Sequence, residues 1–190
     1  MNINGNVVAD GDNIVISKNK IKGYLVLGDV SSGQFTNNNF IYGKVYRTPV
    51  SYVMKNTVKG NKYANLQFKL TKTTKDKFQI TVTNNGNKKA GVSYLKALTK
   101  NSRLSAGKSK PSVNRANTYI GRFKVPSLKA KKTKIVSISK KKIKDLMKSK
   151  KISISKNKLI SFEPYNPKIN YSGLISASNG LLLKTIHATL

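Results

Sequence analysis

Apolar and polar residues alternate through the middle of the chain. Leu66, Phe68 and Leu70 share one side of a stretch whose other side is Asn65, Gln67 and Lys69; Phe78, Ile80 and Val82 repeat this against Gln79, Thr81 and Thr83. A two-residue period puts successive side chains on opposite faces of a pleated strand. The same pattern predicts strands over 92–98, over 118–125 (Tyr119, Gly121, Phe123 and Val125 on one face, Ile120 on the other) and over 134–139, which holds Ile135 and reaches Ile138. It adds one or two more within 151–162. From Phe78 the chain runs through Asn84-Asn85-Gly86-Asn87 into Val92-Ser93-Tyr94-Leu95. That order predicts a β-hairpin whose Asn and Gly residues take up positive φ. Strands at short intervals, cut by Gly, Pro, Ser and Asn, predict a β-sandwich over 63–163.

Residues 1–46 follow another rhythm. Ile16-Ser17-Lys18-Asn19-Lys20-Ile21-Lys22-Gly23 aligns with Phe35-Thr36-Asn37-Asn38-Asn39-Phe40-Ile41-Tyr42-Gly43 with one insertion, and Asn2-Ile3-Asn4-Gly5-Asn6 is a fainter copy. Short units with inward aliphatics and Asn at the corners, recurring about every 19 residues, predict stacked coils of a solenoid. Arg47-Thr48-Pro49 and Lys59-Gly60-Asn61-Lys62 carry chain-breaking residues, so 47–62 reads as a linker. The lysine-rich stretch 140–150 reads as a charged loop in preference to a single helical turn. The end of the chain, 164–190, reads either as a last strand pair or as an unstructured tail.

Charge changes the picture. There are 37 Lys and Arg against 6 Asp and Glu, a formal net charge of +31. Such an excess cannot be neutralised internally, and the surface attracts anions. Lysine supplies nearly all of it, since Arg occurs only at 47, 103, 115 and 122. Lys is a hydrated point charge, whereas Arg is suited to bidentate phosphate recognition. The candidate anionic-surface contacts are three clusters: Lys129, Lys131, Lys132 and Lys134; Lys140, Lys141, Lys142 and Lys144; Lys148, Lys150 and Lys151. They read either as a patch for polyanions or as solvated faces of a Lys-biased protein, where Lys also discourages edge-to-edge sheet pairing. Nucleic-acid binders often interleave aromatics with basic residues. Residues 129–151 contain none, so nucleic acid is possible but not favoured.

Little else carries chemistry. The absence of Cys removes disulfides and thiolate metal sites. Ala106-Gly107-Lys108-Ser109 lacks the first glycine of a phosphate-binding loop, having Ser102 there. Asp10-Gly11-Asp12-Asn13 starts like a calcium loop but no bidentate Glu follows, which favours an Asx turn. His187 is the single His, without a partner for metal or triad chemistry. Asn170-Tyr171-Ser172 matches a glycosylation acceptor pattern, a match that chance supplies often. Six scattered acids argue against a glycan-cleaving carboxylate pair. The expectation is a protein that is not an enzyme and uses no cofactor or metal.

Four pieces together resemble a CARDB-type module, a cell-adhesion-related immunoglobulin-like domain. They are Ala64-Asn65-Leu66; Phe78 through Val82 into Asn84-Asn85-Gly86-Asn87; Thr118-Tyr119-Ile120-Gly121-Arg122-Phe123; and Val125-Pro126-Ser127-Leu128-Lys129-Ala130 with the segment that follows. The span 150–167 departs from that family's closing strands. Residues 1–46 resemble the last coils of a right-handed parallel β-helix of surface proteins. That order of parts resembles adhesin-like surface proteins of methanogenic archaea. The resemblance implies an all-β protein, an immunoglobulin-like β-sandwich following short parallel β-helix coils. It also implies a non-enzymatic, extracellular structural or binding module whose partners are anionic cell-wall polymers, glycans or other surface proteins. Met1 to Ala9 has neither a basic start nor an apolar run, so the chain is expected to be part of a larger surface protein. A basic nucleic-acid-associated protein and a remnant of a polysaccharide-active β-helix protein are the alternatives.

Overall fold

The computed structural model describes residues 1–30, 32–47, 55–100, 117–155, 158–165 and 186–190. Among them the protein is mostly β, arranged in several sheets with one helix.

The N-terminal part winds three times through the same three directions. The first circuit supplies β1 (Asn2–Ile3), β2 (Val7–Gly11) and β3 (Ile14–Ser17). The second supplies β4 (Lys20–Ile21), β5 (Leu25–Val30) and β6 (Ser32–Thr36), and the third β7 (Asn39–Phe40), β8 (Val45–Arg47) and β9 (Lys55–Thr57). Equivalent strands pair in parallel, giving sheets β1-β4-β7, β2-β5-β8 and β3-β6-β9. Parallel register stacks like on like. Ile21 sits between Ile3 and Phe40, Leu25 between Val7 and Val45, and Ile16 beside Phe35. Ile21, Leu25, Leu27, Val30, Phe35 and Phe40 are buried in one core.

The corners explain the asparagines. Lys18, Asn37 and Gly60 each have positive φ (56°, 56° and 67°), and each precedes an Asn. The Asn38 side-chain oxygen accepts from the Asn19 amide (3.0 Å), and the Asn61 side-chain oxygen accepts from the Asn38 amide (2.9 Å). Asn38 Nδ2 donates to Ile16 O and Asn61 Nδ2 to Phe35 O, both at 2.8 Å. Each amide side chain thus satisfies backbone groups that a buried corner would otherwise orphan. The Asn19–Asn38 rung lies at the expected offset. The rung to Asn61 falls within 47–62, which therefore contributes a strand and a coil corner where a linker was expected.

From Leu66 onward two antiparallel sheets enclose a second core. One has the order β10-β11-β14, from β10 (Leu66–Thr73), β11 (Lys77–Asn84) and β14 (Thr133–Ser139). The other has the order β13-β12-β15-β16, from β12 (Ser93–Lys100), β13 (Asn117–Val125), β15 (Leu159–Tyr165) and β16 (Ile186–Thr189). Phe162 lies at its centre, edge-on to Phe78 (5.6 Å between centroids) and Phe123 (6.4 Å). Residues 140–150 are not a loop: α1 (Lys140–Ser149) is a helix that sends Ile143 and Met147 into this core. Ser139 caps it by accepting from Lys142 N at 3.3 Å.

Several strand expectations change in detail. β11 and β12 do not form a hairpin; they lie in different sheets, and the Asn-Gly segment crosses between them. On β14, Val136 and Ile138 are buried while Ile135 is 57% exposed, because pairing with β11 sets which face looks inward. On β13 a register shift opposite Ala97 and Leu98 turns Ile120 inward beside Gly121 and leaves Tyr119 outside. Among the described residues of 151–162 one strand is present, β15, which starts at Leu159 and runs on to Tyr165, and residues 186–189 join it as β16.

Candidate anion-contact surface and the coil junction

The eleven candidate lysines do not form one patch. Lys129, Lys131 and Lys132 sit at the start of β14, and Lys140 to Lys151 at its far end. Seven residues of β-strand, about 20 Å, separate the two groups. Lys134 lies on β14 itself, opposite Val82. On the helix, Lys141, Lys144 and Lys148 are exposed and share a stripe at three- and four-residue spacing, away from buried Ile143 and Met147. Others are held against the protein. Lys131 Nζ donates to Asn85 O (2.7 Å) and Lys150 Nζ to Tyr119 O (3.3 Å). Lys140, Lys142 and Lys150 also lie over the rings of Phe78, Phe123 and Tyr119, at 4.9, 6.0 and 4.3 Å. These aromatics come from distant strands, so a search of 129–151 cannot find them. Lys151, at positive φ, closes the helix with its amide on Lys148 O.

Three lysines open the helix, and no acidic residue occupies its first turn. Positive charge there opposes the helix dipole. Lys141→Glu is therefore expected to raise stability by about 0.5 kcal/mol while weakening binding to anionic polymers. Urea titration and a polymer-binding isotherm on the same variant check the opposed signs.

A second feature was legible only in part. The Asn84-Asn85-Gly86-Asn87 segment, expected as a hairpin turn, joins the two cores. Asn84 is fully buried. Its Oδ1 accepts from the amides of Asn65 and Gly86 (both 3.0 Å), and its Nδ2 donates to Lys88 O (2.8 Å), Leu128 O (3.2 Å) and Lys129 O (3.3 Å). Asn87 reaches back to the last coil corner, donating to Asn61 O (2.7 Å) and accepting from Tyr63 N (2.9 Å). Lys88 Nζ donates to Asn39 Oδ1 (2.6 Å) and Phe40 O (3.1 Å) in the third circuit. None of the four turn residues has positive φ. A side chain on Gly86 would instead strike the backbone of Tyr63, Ala64 and Asn65, so close approach is what requires glycine there.

An open pocket of about 330 Å³ lies at this junction, lined by Lys44, Val45, Val58, Lys59, Tyr63 and Asn87 among others. Burial pushes the Lys44 ammonium below its ordinary range, and burial followed by repulsion from Lys20 and Lys62 does the same to Lys88. The folded chain therefore binds these protons less readily than the unfolded one. Stability should rise with pH as the folded groups deprotonate, the gain ending near the ordinary lysine value of 10.5. The urea midpoint is expected to be higher at about pH 10 than at pH 7, by less in Lys44→Met.

Asp10 Oδ1 accepts from Asp29 N (2.9 Å), bracing neighbouring circuits. His187 Nδ1 and Ser161 Oγ are 2.9 Å apart across β15 and β16. Among the described residues no three His, Cys, Asp or Glu side chains converge, and no helix is long and apolar enough to cross a membrane. Residues 106–109 and 170–172 lie outside the described residues.

No protein-family model matches the chain, and no curated protein matches it. Solved structures similar to it include the β-glucosidase DesR from Streptomyces venezuelae, at 16% identity and TM-score 0.35, over 67% of this chain and 15% of that one. A β-glucosidase from Kluyveromyces marxianus matches at 16% identity and TM-score 0.33, over 66% and 14%. A GH3 β-glucosidase from Bifidobacterium adolescentis matches at 15% and 0.35, over 67% and 17%. The chain thus spans well under a fifth of these enzymes' length. At such TM-scores the likeness carries no argument about activity.

Proposed function

We propose that this chain is a non-enzymatic, adhesin-like cell-surface module. Its N-terminal part is read as the last coils of a right-handed parallel β-helix and its remainder as an immunoglobulin-like sandwich of CARDB type. It works as a rigid scaffold that meets anionic cell-wall polymers, glycans or surface proteins through diffuse positive charge. The observation that carries this reading is the junction. Asn87 and Lys88 hydrogen-bond the final circuit, so the second unit stacks on the coils as their continuation. The strand order lends support. Counted from β10, strands one, two and five share one sheet and strands four, three, six and seven the other, as in an immunoglobulin-like chain whose fourth strand has changed sheets. The outward stripe of Lys141, Lys144 and Lys148 supplies free positive charge.

Antibody against the chain should label intact cells, and the protein should bind heparin-like polymer and anionic vesicles with comparable, salt-sensitive affinity. Labelling seen only after permeabilisation would sink the surface assignment.

A further inference from the structure

The outward face of sheet β13-β12-β15-β16 carries an aromatic and cationic grid that no single stretch of sequence contains. Cross-strand register places Lys124, Tyr94 and Tyr165 in one row, and Arg122, Lys96 and Glu163 in the next. Arg122 lies over the Tyr94 ring at 5.0 Å and Lys96 over the Tyr165 ring at 4.1 Å. Tyr119, 42% exposed, continues the face one row on, with Lys150 over its ring at 4.3 Å. We infer that this sheet face binds single-stranded nucleic acid.

The argument rests on what the grid can satisfy at once. Adjacent Tyr94 and Tyr165 offer two π surfaces side by side. Each is half-buried with a cation over it, which a stacking base displaces towards the phosphates, and Lys124 flanks the row. Unpaired bases stack on aromatic rings while phosphates meet Lys and Arg, and an open sheet face is a common platform for this. Outward residues along a strand recur about every 7 Å, on the scale of the phosphate spacing in an extended strand. A duplex hides its base faces and would use only the cations. Cations outnumber carboxylates in these rows, Glu163 being the acidic member, which suits a polyanion. The missing aromatics that counted against nucleic acid in 129–151 are supplied here by β12, β13 and β15.

The test uses the full chain and a labelled oligothymidylate of about a dozen residues, a size within the range one such platform covers, beside a duplex of equal length. The single strand should bind about tenfold tighter than the duplex at equal salt. In Tyr94→Leu/Tyr165→Leu its affinity should fall about tenfold or more, with duplex binding unchanged. Glu163→Gln should strengthen binding. Equal affinity for the two forms, or a folded double variant that binds the single strand as the parent does, would overturn the inference. If the double variant does not fold, Arg122→Gln is read instead; it should lose most of the single-strand preference, and an unchanged preference is contrary. Polygalacturonate binding that depends on both tyrosines, while oligothymidylate binding does not, assigns the face to an acidic glycan and also overturns it. None of these outcomes bears on the surface labelling that tests the adhesin reading.

Discussion

Replacing Asn84 by Asp is expected to be the most damaging single-atom exchange in this protein. The amide nitrogen serves three carbonyl oxygens in a site without solvent exposure. Aspartate keeps the acceptor for Asn65 and Gly86 but turns the donor into an anion facing those carbonyls. Removing the side chain with Ala should cost about 3 kcal/mol, the loss of several bonds with buried partners left unpaired. The Asp variant should lose more, since a buried unpaired charge is worse than a missing bond. For a chain of this length about 3 kcal/mol corresponds to about 10 °C in the unfolding midpoint. The sign can be checked further. Burial raises the folded-state pKa of the new carboxyl above its unfolded value, so its penalty is full at neutral pH and shrinks as acid neutralises the group. The gap between Asn84→Asp and Asn84→Ala should narrow from about pH 7 towards about pH 4. A gap that stays constant would mean that solvent reaches the site.

Asn84 also marks how far local pattern can be trusted. Asn and Gly after an alternating strand do say that the chain reverses, and it does. They do not say which sheet receives it, because that depends on β14 and β15, paired with β11 and β12 from far along the chain. The parallel N-terminal register was more legible. Stacking aligns residues about 19 apart, so Ile16 with Phe35 and Ile21 with Phe40 already stand out as a repeat in the order of residues. The third corner, Gly60-Asn61, obeys the same rule but was hidden because its rung spans 23 residues. Helix α1 had a usable signal in Ile143, Leu146 and Met147 at helical spacing after Ser139. Lysine density masked it, since charge says nothing about period. The tyrosine and cation grid had no sequence signal: its pairs join different strands, or a strand and the end of α1, and such placement is a tertiary property.

Asn38→Ala should separate the two units energetically. Asn38 is fully buried, and its side chain bonds the Asn19 amide, Ile16 O and the Asn61 side chain. Truncation leaves a backbone donor and a carbonyl unpaired inside the coil corner. The expected loss is about 3 kcal/mol, enough to matter against the roughly 5–15 kcal/mol of a whole domain. Its reach is the informative part. Parallel rungs that touch mainly their neighbours lose nearest-neighbour terms locally, whereas the second unit keeps its own core around Phe162. Amide exchange in Asn38→Ala should therefore accelerate over β4 to β9 and stay slow in β11 and β12. In Asn84→Ala, where the lost bonds lie between β10, β11 and the turn before β14, exchange should accelerate in the second unit and, through Asn87 and Lys88, in the third circuit as well. Uniform acceleration in both variants would mean that the chain unfolds as one cooperative block, and the junction would then be an interior contact, not a cap between two separately stable parts.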